Sequence, residues 1–381
     1  MSADPTALYS RKNPFPAKLG TNRKLTGPGS AKDTRHFEVD ISGSGLAYEV
    51  GDSLGVFPTN NPILVAELLE VLGLTGEEPV VDTNGQPVTL REALSRFYVI
   101  TEPDKKLLTA IAEKDPSASK FLAMVTPEGK TDLDAYFYGR EVIDILLEFP
   151  AAKFTAEEFV KVLRKLQPRL YSIASSPKAH PSSVHLTVAA VRYESKGRKR
   201  EGVCSTFLSD RADAAPVPVF VHSAKHFRVP EDLSTPVIMV GPGTGIAPFR
   251  AFLQERKAAG SSGKNWLFFG DQKAETDFLY REELEAYQAE GVLHELSVAF
   301  SRDQAEKIYV QHRMLERAAD LYAWLEAGAY FYICGDASRM AKDVDTALHK
   351  VVETAGGKSP EEAAAYVEEL KKSKRYRKDV Y

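Results

Sequence analysis

The segment that most constrains the fold covers residues 237–250, with the sequence VIMVGPGTGIAPFR. Four apolar residues run into three alternating glycines, Gly241, Gly243 and Gly245, and apolar residues at helical spacing follow. This order is typical of a buried parallel strand, a tight turn and the start of a helix. Glycines let the backbone approach a ligand and a helix start favours anions, so the segment predicts a nucleotide-phosphate site. An ordinary structural turn between a strand and a helix would have the same pattern.

The glycine spacing differs from two common nucleotide-binding motifs. The dinucleotide fingerprint places its third glycine where this chain has Ile246. No Gly-Lys-Ser or Gly-Lys-Thr follows, which excludes a Walker A loop. The segment therefore predicts a nucleotide site without identifying the nucleotide.

Length and composition narrow the class of protein. A chain of 381 residues is too long for one ordinary core, so two domains are expected. Its residues are 43% hydrophobic and 27% charged with a net charge of −4, which gives no indication of a nucleic-acid partner. No apolar run reaches the ~18–20 residues of a membrane span. The first residues show no secretory signal, so we expect a cytoplasmic protein with no membrane partner.

Metal chemistry is not expected from the sequence. Two cysteines, Cys204 and Cys334, cannot by themselves hold an iron–sulfur cluster or a structural zinc ion. The eight histidines include no His-Glu-x-x-His motif. Redox chemistry would have to come from an organic cofactor.

The first 230 residues suggest antiparallel strands interrupted by helices. Residues 1–30 are polar and predict an extended arm. Strands are predicted at 36–41, 48–57, 169–174, 184–193 and 217–222. A helix is expected from Pro62 to near Gly73, and further helices at 90–97, 105–112, 141–147 and 156–166.

After Pro230 the pattern alternates between strands and helices. Strands are predicted at 237–240, 266–269, 293–299 and 329–334, with helices near 248–257, 280–289, 311–317 and 338–353. Four strands alternating with helices indicate a doubly wound parallel sheet. Ser359 and Pro360 predict the start of a last helix, before a basic C-terminal stretch at 371–378.

Three further segments carry residues suited to a flat, phosphorylated ligand. In residues 169–176, Arg169 can pair with a phosphate, Tyr171 can stack and Ser172 can donate a hydrogen bond. In residues 202–208, glycine precedes hydroxyl residues at a predicted helix start, which suits a small anion. In residues 300–311, two cations and two hydroxyls follow a predicted parallel strand and suit an extra phosphate. Each segment alone also fits an edge strand, a helix cap or a solvated basic loop.

A fourth segment covers residues 330–336. In it, Cys334 lies at the predicted end of a strand, next to Gly335. Buried cysteine is most often inert packing, but the strand-end position favours a functional role. Taken together and in this order, the four segments resemble the ferredoxin–NADP reductase-like module of the diflavin reductases. The resemblance extends from Asn13 to Tyr381 and is strongest to the sulfite reductase flavoprotein branch.

The resemblance implies a fold of two parts. An antiparallel flavin-binding β-barrel at 13–60 and 167–232, with a helical connecting insert at 61–166, would form an FAD-binding domain over residues 1–232. A doubly wound parallel sheet would form the NADP-binding domain over 233–381. The fold class is thus α/β combined with an all-β part.

The resemblance also assigns contacts to the two cofactors, FAD and NADPH. The FAD contacts would be Thr101, Arg169, Leu170, Tyr171, Ser172, Thr187, Val188, Ala189, Tyr193, Gly202, Val203, Cys204, Ser205 and Tyr381, whose ring would cover the flavin. The NADPH contacts would be Gly241, Gly243, Thr244, Ser301, Arg302, Lys307, Ile308, Tyr309, Val310, Gln311 and Asp343.

Four residues would assist transfer of a hydride from NADPH to the flavin: Ser172, Cys334, Asp379 and Tyr381. Ser172 could donate to the flavin N5, and Cys334 could set the approach distance of the nicotinamide. Tyr381 would occupy the place that nicotinamide needs, so the C-terminus would act as a gate.

In one respect the chain departs from the family, because only about 12 residues precede Asn13 and a flavodoxin-like FMN domain does not fit there. The FAD would then need a separate electron acceptor, which could be the haemoprotein of sulfite reductase, a flavodoxin or a ferredoxin. The implied function is NADPH-dependent reduction of FAD for assimilatory sulfite reduction, and the alternative is reduction of a flavodoxin or ferredoxin unconnected with sulfite. The sequence leaves open whether the chain is complete or a fragment, and whether it reduces a small acceptor directly. The four residues that assist hydride transfer disfavour a non-catalytic flavin-binding subunit.

Overall fold

A computed structural model describes residues 8–381 of the chain. They form two compact units, each built from separate stretches of sequence. The first contains residues up to Val56, Leu170–Ala190 and Ala215–Tyr381, and the second contains Phe57–Arg169 and Val191–Ala214. The predicted domain boundary at residue 232 lies within the first unit and stays a prediction.

The strands within residues 8–381 are numbered in chain order. They are β1 (Phe15–Lys24), β2 (Thr34–Asp40), β3 (Ser53–Val56), β4 (Pro79–Val81), β5 (Pro87–Thr89), β6 (Arg169–Ser172), β7 (Ser183–Ala189), β8 (Arg192–Ser195), β9 (Arg198–Glu201), β10 (Val217–His222), β11 (Val237–Val240), β12 (Asn265–Asp271), β13 (Glu295–Phe300), β14 (Tyr330–Gly335) and β15 (Tyr376–Val380).

The helices follow the same numbering. They are α1 (Pro62–Leu72), α2 (Leu90–Arg96), α3 (Lys105–Lys114), α4 (Lys120–Met124), α5 (Lys130–Phe137), α6 (Val142–Glu148), α7 (Ala156–Val162), α8 (Val203–Asp210), α9 (Ala247–Ala258), α10 (Ala274–Asp277), α11 (Arg281–Ala289), α12 (Val310–Glu316), α13 (Ala318–Glu326), α14 (Met340–Gly356) and α15 (Pro360–Lys372). Short 3₁₀ turns cover Pro116–Ala118 and Gly243–Ile246. Among these helices, none is both long enough and apolar enough to cross a membrane.

One sheet of the first unit is antiparallel and has the strand order β6-β3-β10-β1-β2-β7. Strand β1 pairs with β10 on one side and β2 on the other, although its sequence was predicted as an extended arm. Only Ala17 of β1 is buried, so backbone pairing holds a strand that shows no apolar alternation. Residues 1–7 of the predicted arm lie outside the described residues.

The second sheet of the first unit is parallel, with the order β13-β12-β11-β14-β15. Alternate residues of β11 enter different cores, Ile238 and Val240 in one, Val237 and Met239 in the other. Both faces are therefore covered, as predicted for a doubly wound sheet. Four strands were predicted for this sheet, but it has five. The fifth strand, β15, overlaps the stretch at 371–378 that was predicted only as a basic C-terminal stretch.

The order of this parallel sheet creates a switch point. The chain passes from β11 to β12 and β13 on one side, and then returns to β14 and β15 on the other. The crevice beyond the carboxyl ends of β11 and β14 is the place where such sheets bind ligands. The glycine turn after β11 opens into this crevice.

The second unit is mainly helical and contains the hairpins β4–β5 and β8–β9. Its apolar core is built mainly by α1, α2, α3, α6 and α7. The Asn61 side chain accepts a hydrogen bond from the Ile63 amide at 2.8 Å, and Gly73 ends α1 with φ 69°. Both ends of the predicted helix after Asn61 are confirmed.

Candidate functional site

Two of the three glycines in the turn are required by packing within the protein. A Cβ on Gly245 would overlap the Cys334 carbonyl, and one on Gly241 would overlap the Phe249 ring. Gly243 differs, because it has φ +57° and only two side-chain atoms, of Asp271 and Lys32, lie within 4 Å of its Cβ position. Packing therefore explains Gly241 and Gly245, and the left-handed backbone explains Gly243, beside which open space remains for a ligand.

The C-terminus of the chain is fixed beside this turn. The Tyr381 amide donates to the Gly335 carbonyl at 3.1 Å, and the Ala337 amide donates to the Tyr381 carbonyl at 3.1 Å. Tyr381 as a whole residue is 64% exposed, and its hydroxyl lies 3.0 Å from Thr244 Oγ1. The main chain of Tyr381 is thus anchored, while its ring is held at the turn by one hydroxyl contact.

Three of the predicted catalytic residues meet at one carboxylate. Ser172 Oγ donates to Asp379 Oδ2 at 2.7 Å, and Cys334 Sγ lies 3.9 Å from the same oxygen. Cys334 and Asp379 are direct neighbours in the register of β14 and β15, and Ser172 ends β6. The structure thus brings together residues up to 207 positions apart in the sequence.

The thiol in this cluster is neutral. Burial raises the pKa of Cys334 well above its usual value, and the Asp379 carboxylate raises it further. Cys334 has no exposed surface. Such a thiol is a packing group and weak donor instead of a nucleophile, because the thiolate is the reactive form.

The predicted residues of the 301–311 segment lie at the carboxyl ends of β12 and β13. The Ser301 amide donates to the Asp271 carbonyl at 2.9 Å, and the Arg302 amide donates to the Gln272 carbonyl at 2.8 Å. The side chains of Arg302 and Lys307 are exposed, and neither has an ion-pair partner among residues 8–381. Two unpaired cations at this edge suit a phosphate.

The other predicted residues of this segment divide into surface and core positions. Tyr309 is 42% exposed, and Gln311 Nε2 donates to Asp343 Oδ2 at 3.4 Å. Val310 is buried in the core beneath the sheet, and Ile308 packs against that core. The side chains of Ile308 and Val310 therefore serve packing, and only their backbone groups are left for a ligand.

Several predicted flavin contacts lie on β6 and β7. Leu170 is 45% exposed, whereas Val188 is buried and Thr187 is 4% exposed. Thr187 Oγ1 lies 2.7 Å from the Tyr280 hydroxyl, so its side chain is engaged within the protein. Arg169 begins β6 with an exposed side chain.

The predicted contacts of the second unit gather around the start of α8. No side chain caps this helix start at Gly202, and the hydroxyls of Ser205 and Thr206 instead donate to the Gly202 carbonyl at 3.1 and 3.0 Å. An uncapped helix start keeps free N–H groups for an anion. Tyr193 is 52% exposed and Cys204 is buried.

A cavity of about 430 Å³ lies within the second unit. Thr101 and Val203, both predicted contacts, line it together with Thr206 of the predicted anion-binding turn and with residues that were not predicted to bind a ligand: Asn61, Ile63, Leu64, Glu67, Glu141, Arg198, Lys199, Glu201 and Arg211. No local motif marks the lining of this cavity, because its residues come from four separate stretches of chain, at 61–67, 101, 141 and 198–211.

Comparison with known proteins identifies the family. Residues 8–207, more than half of the chain, match the family model described as FAD binding domain. The chain belongs to the FAD binding domain family. Residues 239–346 match a second model, described as oxidoreductase NAD-binding domain.

Relatives of this FAD binding domain protein share about half of its residues. It is 48% identical over 98% of its length to the sulfite reductase (NADPH) flavoprotein alpha-component of Bacillus subtilis, and 50% identical over 99% to that of Aliivibrio fischeri. The corresponding protein of Vibrio cholerae is 49% identical over 98%. The chain spans 62%, 62% and 60% of the lengths of these three relatives.

The family matches cover most of the predicted site. The predicted flavin contacts from Thr101 to Ser205 lie in the FAD binding domain match, and the predicted NADPH contacts from Gly241 to Asp343 lie in the NAD-binding match. Asp379 and Tyr381 lie beyond both. The contact of Ser172 with Asp379 therefore joins the first match to the C-terminal strand.

A buried histidine cluster on β2 and β7 was not predicted from the sequence. The donor atoms of His36, Glu38 and His185 lie within 4.8 Å of one another, which could hold a metal ion. However, Arg250 Nη1 lies 3.2 Å from His185 Nδ1. A guanidinium only donates, so it occupies the lone pair of that ring nitrogen and its charge disfavours a cation.

One further histidine pair has a metal-like spacing of four residues, His222 and His226. It lies at the end of β10 and in the following loop, not on a helix. The spacing therefore does not place both rings on one helical face.

Proposed function

We propose that the chain is an NADPH-dependent FAD oxidoreductase that passes electrons to a separate redox partner in sulfite reduction. The observation that carries the proposal is the convergence of Ser172, Cys334, Asp379 and Tyr381 beside the glycine turn at the switch point. The relatives named sulfite reductase (NADPH) flavoprotein alpha-component support both the nucleotide and the pathway.

The residues present fit the two cofactors. The uncapped start of α8 suits the diphosphate of FAD, and a Cβ on Gly202 would crowd Val191 and Ser205. Gly243 and the unpaired cation Arg302 suit NADPH. When bound, the nicotinamide supplies a hydride and the flavin accepts it.

The chain's own residues would orient these groups. Asp379 accepts a hydrogen bond from the Ser172 hydroxyl, and this contact fixes the direction of Ser172 Oγ. Cys334 stays neutral and fills the space at the end of β14, which sets how closely a ring can approach. A misplacement of about 1 Å can slow such a reaction ~10²-fold, so this packing matters for rate.

Tyr381 would act as the gate. The residue is exposed and its hydroxyl contacts Thr244, while its main chain is fixed to Gly335 and Ala337. Rotation of the side chain can therefore open the space beside Cys334 without unpairing β15. This arrangement fits a lid that moves on each catalytic cycle.

The finer points of the fold belong to the same proposal. The antiparallel sheet would close into a flavin-binding β-barrel, with an FAD-binding domain at 1–232 and an NADP-binding domain at 233–381. The protein would act in the cytoplasm, and the sulfite reductase haemoprotein would be its partner. A flavodoxin or a ferredoxin is the alternative partner.

The nucleotide assignment is tested by Arg302→Ala. Loss of a charge-assisted hydrogen bond, worth roughly 1.5–3 kcal/mol, should raise the KM for NADPH about 10- to 150-fold and leave the KM for NADH nearly unchanged. Lys264→Ala is the control, because this exposed lysine directly precedes β12 and so lies at the amino ends of the strands, whereas Arg302 lies at their carboxyl ends. Equal loss with both nucleotides would contradict the assignment.

The partner is tested by supplying NADPH and the chain with each candidate acceptor in turn. The yellow colour of the purified flavoprotein should bleach with NADPH and return when the true partner is added. Return of the colour with the sulfite reductase haemoprotein, and not with flavodoxin or ferredoxin, supports the proposal. Return only with flavodoxin or ferredoxin would favour the alternative, and a colourless preparation that binds no flavin would contradict both.

A further inference from the structure

One carboxylate on α14, that of Asp345, ties this helix to the C-terminal strand β15. Its Oδ1 accepts a hydrogen bond from the Tyr376 hydroxyl at 2.6 Å and another from Lys378 Nζ at 2.9 Å. Its Oδ2 lies 3.6 Å from His349 Nε2, one turn further along α14. The Lys378 ammonium also lies 4.7 Å from the centre of the Tyr376 ring, so the two donors pack together. Asp345 therefore joins a helix to two alternate residues of a strand.

These contacts hold one face of β15. Successive side chains of a strand point to opposite faces of its sheet. Tyr376 is buried in the core that α14 shares with the sheet, and Lys378 reaches Asp345 on the same side. Asp379 points the other way, where its carboxylate accepts a hydrogen bond from Ser172. Asp345 thus holds the back of the strand whose front carries Asp379.

The register of β15 decides where Asp379 lies. Among the described strands β15 pairs with β14 alone, with Lys378 opposite Ile333 and Asp379 opposite Cys334. Backbone pairing could form in other registers too, because each of these residues carries one N–H and one C=O. A slip of one residue would turn Asp379 to the α14 face, and a slip of two would move it about 7 Å along the strand. Side-chain contacts must therefore select the observed register.

Helix α14 is well anchored and its acid is charged, so it can select that register. The helix has 17 residues, and its apolar side chains Leu348 and Val351 are fully buried in the core. Burial acts to raise the pKa of Asp345, but hydrogen bonds from Tyr376 and Lys378 outweigh it and hold this pKa below its usual value. The carboxylate is therefore ionised at neutral pH, and its bond to Lys378 is charge-assisted.

We propose that Asp345 is a positioning residue for hydride transfer. It sets the register of β15 and thereby places Asp379 against Ser172 and Cys334. Because its own contacts lie on the opposite face of the strand, Asp345 acts through Asp379 and not on the reacting atoms. The inference rests on the proposed function, since the position of Asp379 affects a rate only if the chain transfers a hydride.

The first test measures amide hydrogen exchange of β15 by mass spectrometry on the full FAD-loaded chain, without any turnover. Asp345→Ala should speed this exchange about 10-fold or more, because the strand loses its side-chain anchor and opens more often. Glu353→Ala is the matched control, since Glu353 also lies on α14 and pairs with a lysine, Lys350, at 2.9 Å, but within the helix. It should leave the exchange of β15 unchanged. Unchanged exchange in Asp345→Ala would overturn the inference.

The second test measures how fast NADPH bleaches the flavin in anaerobic stopped-flow mixing. Asp345→Ala and Asp379→Ala should each slow the bleaching about 10-fold or more, because a misplacement of about 1 Å costs ~10²-fold. The double variant should be no slower than Asp379→Ala, since Asp345 acts only through Asp379. Asp345→Glu keeps the carboxylate and should recover most of the rate. Losses that multiply in the double variant, as from general loosening of the fold, would overturn the inference.

One substitute variant and one comparison keep the outcome decisive. If Asp345→Ala loses its FAD, Lys378→Met replaces it in both tests, because it removes one of the two contacts from a part-exposed position. A wild-type flavin that NADPH does not bleach would contradict the proposed function. The exchange measurement would in that case still decide whether Asp345 holds β15 in register.

Discussion

Two buried histidines, His36 and His185, should make the folding stability fall steeply as the pH drops from 7 to 5. Both side chains are 2% exposed. The pKa of each histidine is lowered to about 3. Burial is the largest cause, and the positive charge of Arg250 is the second largest. Arg23 and His180 add further positive charge near His36, and Glu38 only partly compensates at His185.

The hydrogen bonds explain why both rings are neutral. His36 Nε2 donates to Glu38 at 3.2 Å, which leaves Nδ1 to accept from the Tyr280 hydroxyl at 2.9 Å. His185 Nδ1 accepts from Arg250 Nη1 at 3.2 Å. A second proton on His185 would therefore place two donors and two positive charges against each other.

The sign and size of the effect follow from linkage. The unfolded histidines titrate near 6.5 and the folded ones near 3, so between these values the unfolded state binds more protons. Their contribution is fully present above pH 6.5 and is lost as the pH falls towards 3. At pH 5 each histidine should have lost about 2 kcal/mol, or about 4 kcal/mol for the pair, relative to pH 7.

The assay is chemical unfolding of the wild type and of the double variant His36→Gln/His185→Gln at pH 7, 6 and 5. The free energy of unfolding should fall by about 4 kcal/mol more in the wild type than in the double variant over this range. His226→Gln, at an exposed position, serves as the control and should behave as wild type. A difference below about 1 kcal/mol between wild type and double variant would refute the reasoning.

Three further predictions concern Gly245, Arg200 and Tyr381, and the first two each have a second variant for comparison. Gly245→Ala should destabilise the fold by about 1–3 kcal/mol in thermal unfolding, because its Cβ meets a backbone carbonyl. Gly260→Ala, with φ +66° and open space, should cost only the left-handed backbone strain of about 1–2 kcal/mol and leave nucleotide binding intact. Arg200→Met should cost about 3–5 kcal/mol, because it leaves buried carboxylates without their partner. Arg198→Met, at a part-exposed position, should cost less than about 1 kcal/mol in the same denaturation series. Deletion of Tyr381 should tighten nicotinamide binding and shift preference towards NADH, and an unchanged NADH-to-NADPH ratio of kcat/KM would count against the gate.

The local elements of the site could be predicted because their signals are contiguous in sequence. Four apolar residues before Gly241 predicted β11, and the structure confirms it as Val237–Val240. Ser359 was predicted to begin a helix, and its side chain accepts from the Glu362 amide at 3.2 Å. Such short-range patterns follow from chain geometry alone.

Strands held mainly by pairing were harder to predict. In β15, Tyr376 is buried, but the next three residues are Arg377, Lys378 and Asp379, which suggested a solvated tail. Pairing with β14 satisfies their backbone groups, and their side chains stay half-buried at the sheet edge. Composition could not show this, because a strand's hydrogen bonds depend on a neighbour that is distant in sequence.

Charged groups near the glycine turn show the same distinction. Arg302 and Lys307 could be selected as candidates from the sequence, because they lie in the segment that follows a recognisable strand. Lys32 lies next to the polar arm, and its partner Asp271 ends a strand that carries no phosphate motif. Only the folded chain shows that Oδ2 of this acid is buried, has no hydrogen-bond partner among the described residues and lies 3.8 Å from the position of a Cβ on Gly243. A buried carboxylate oxygen without a partner costs free energy, and sequence spacing cannot reveal it, because the cost exists only in the folded protein.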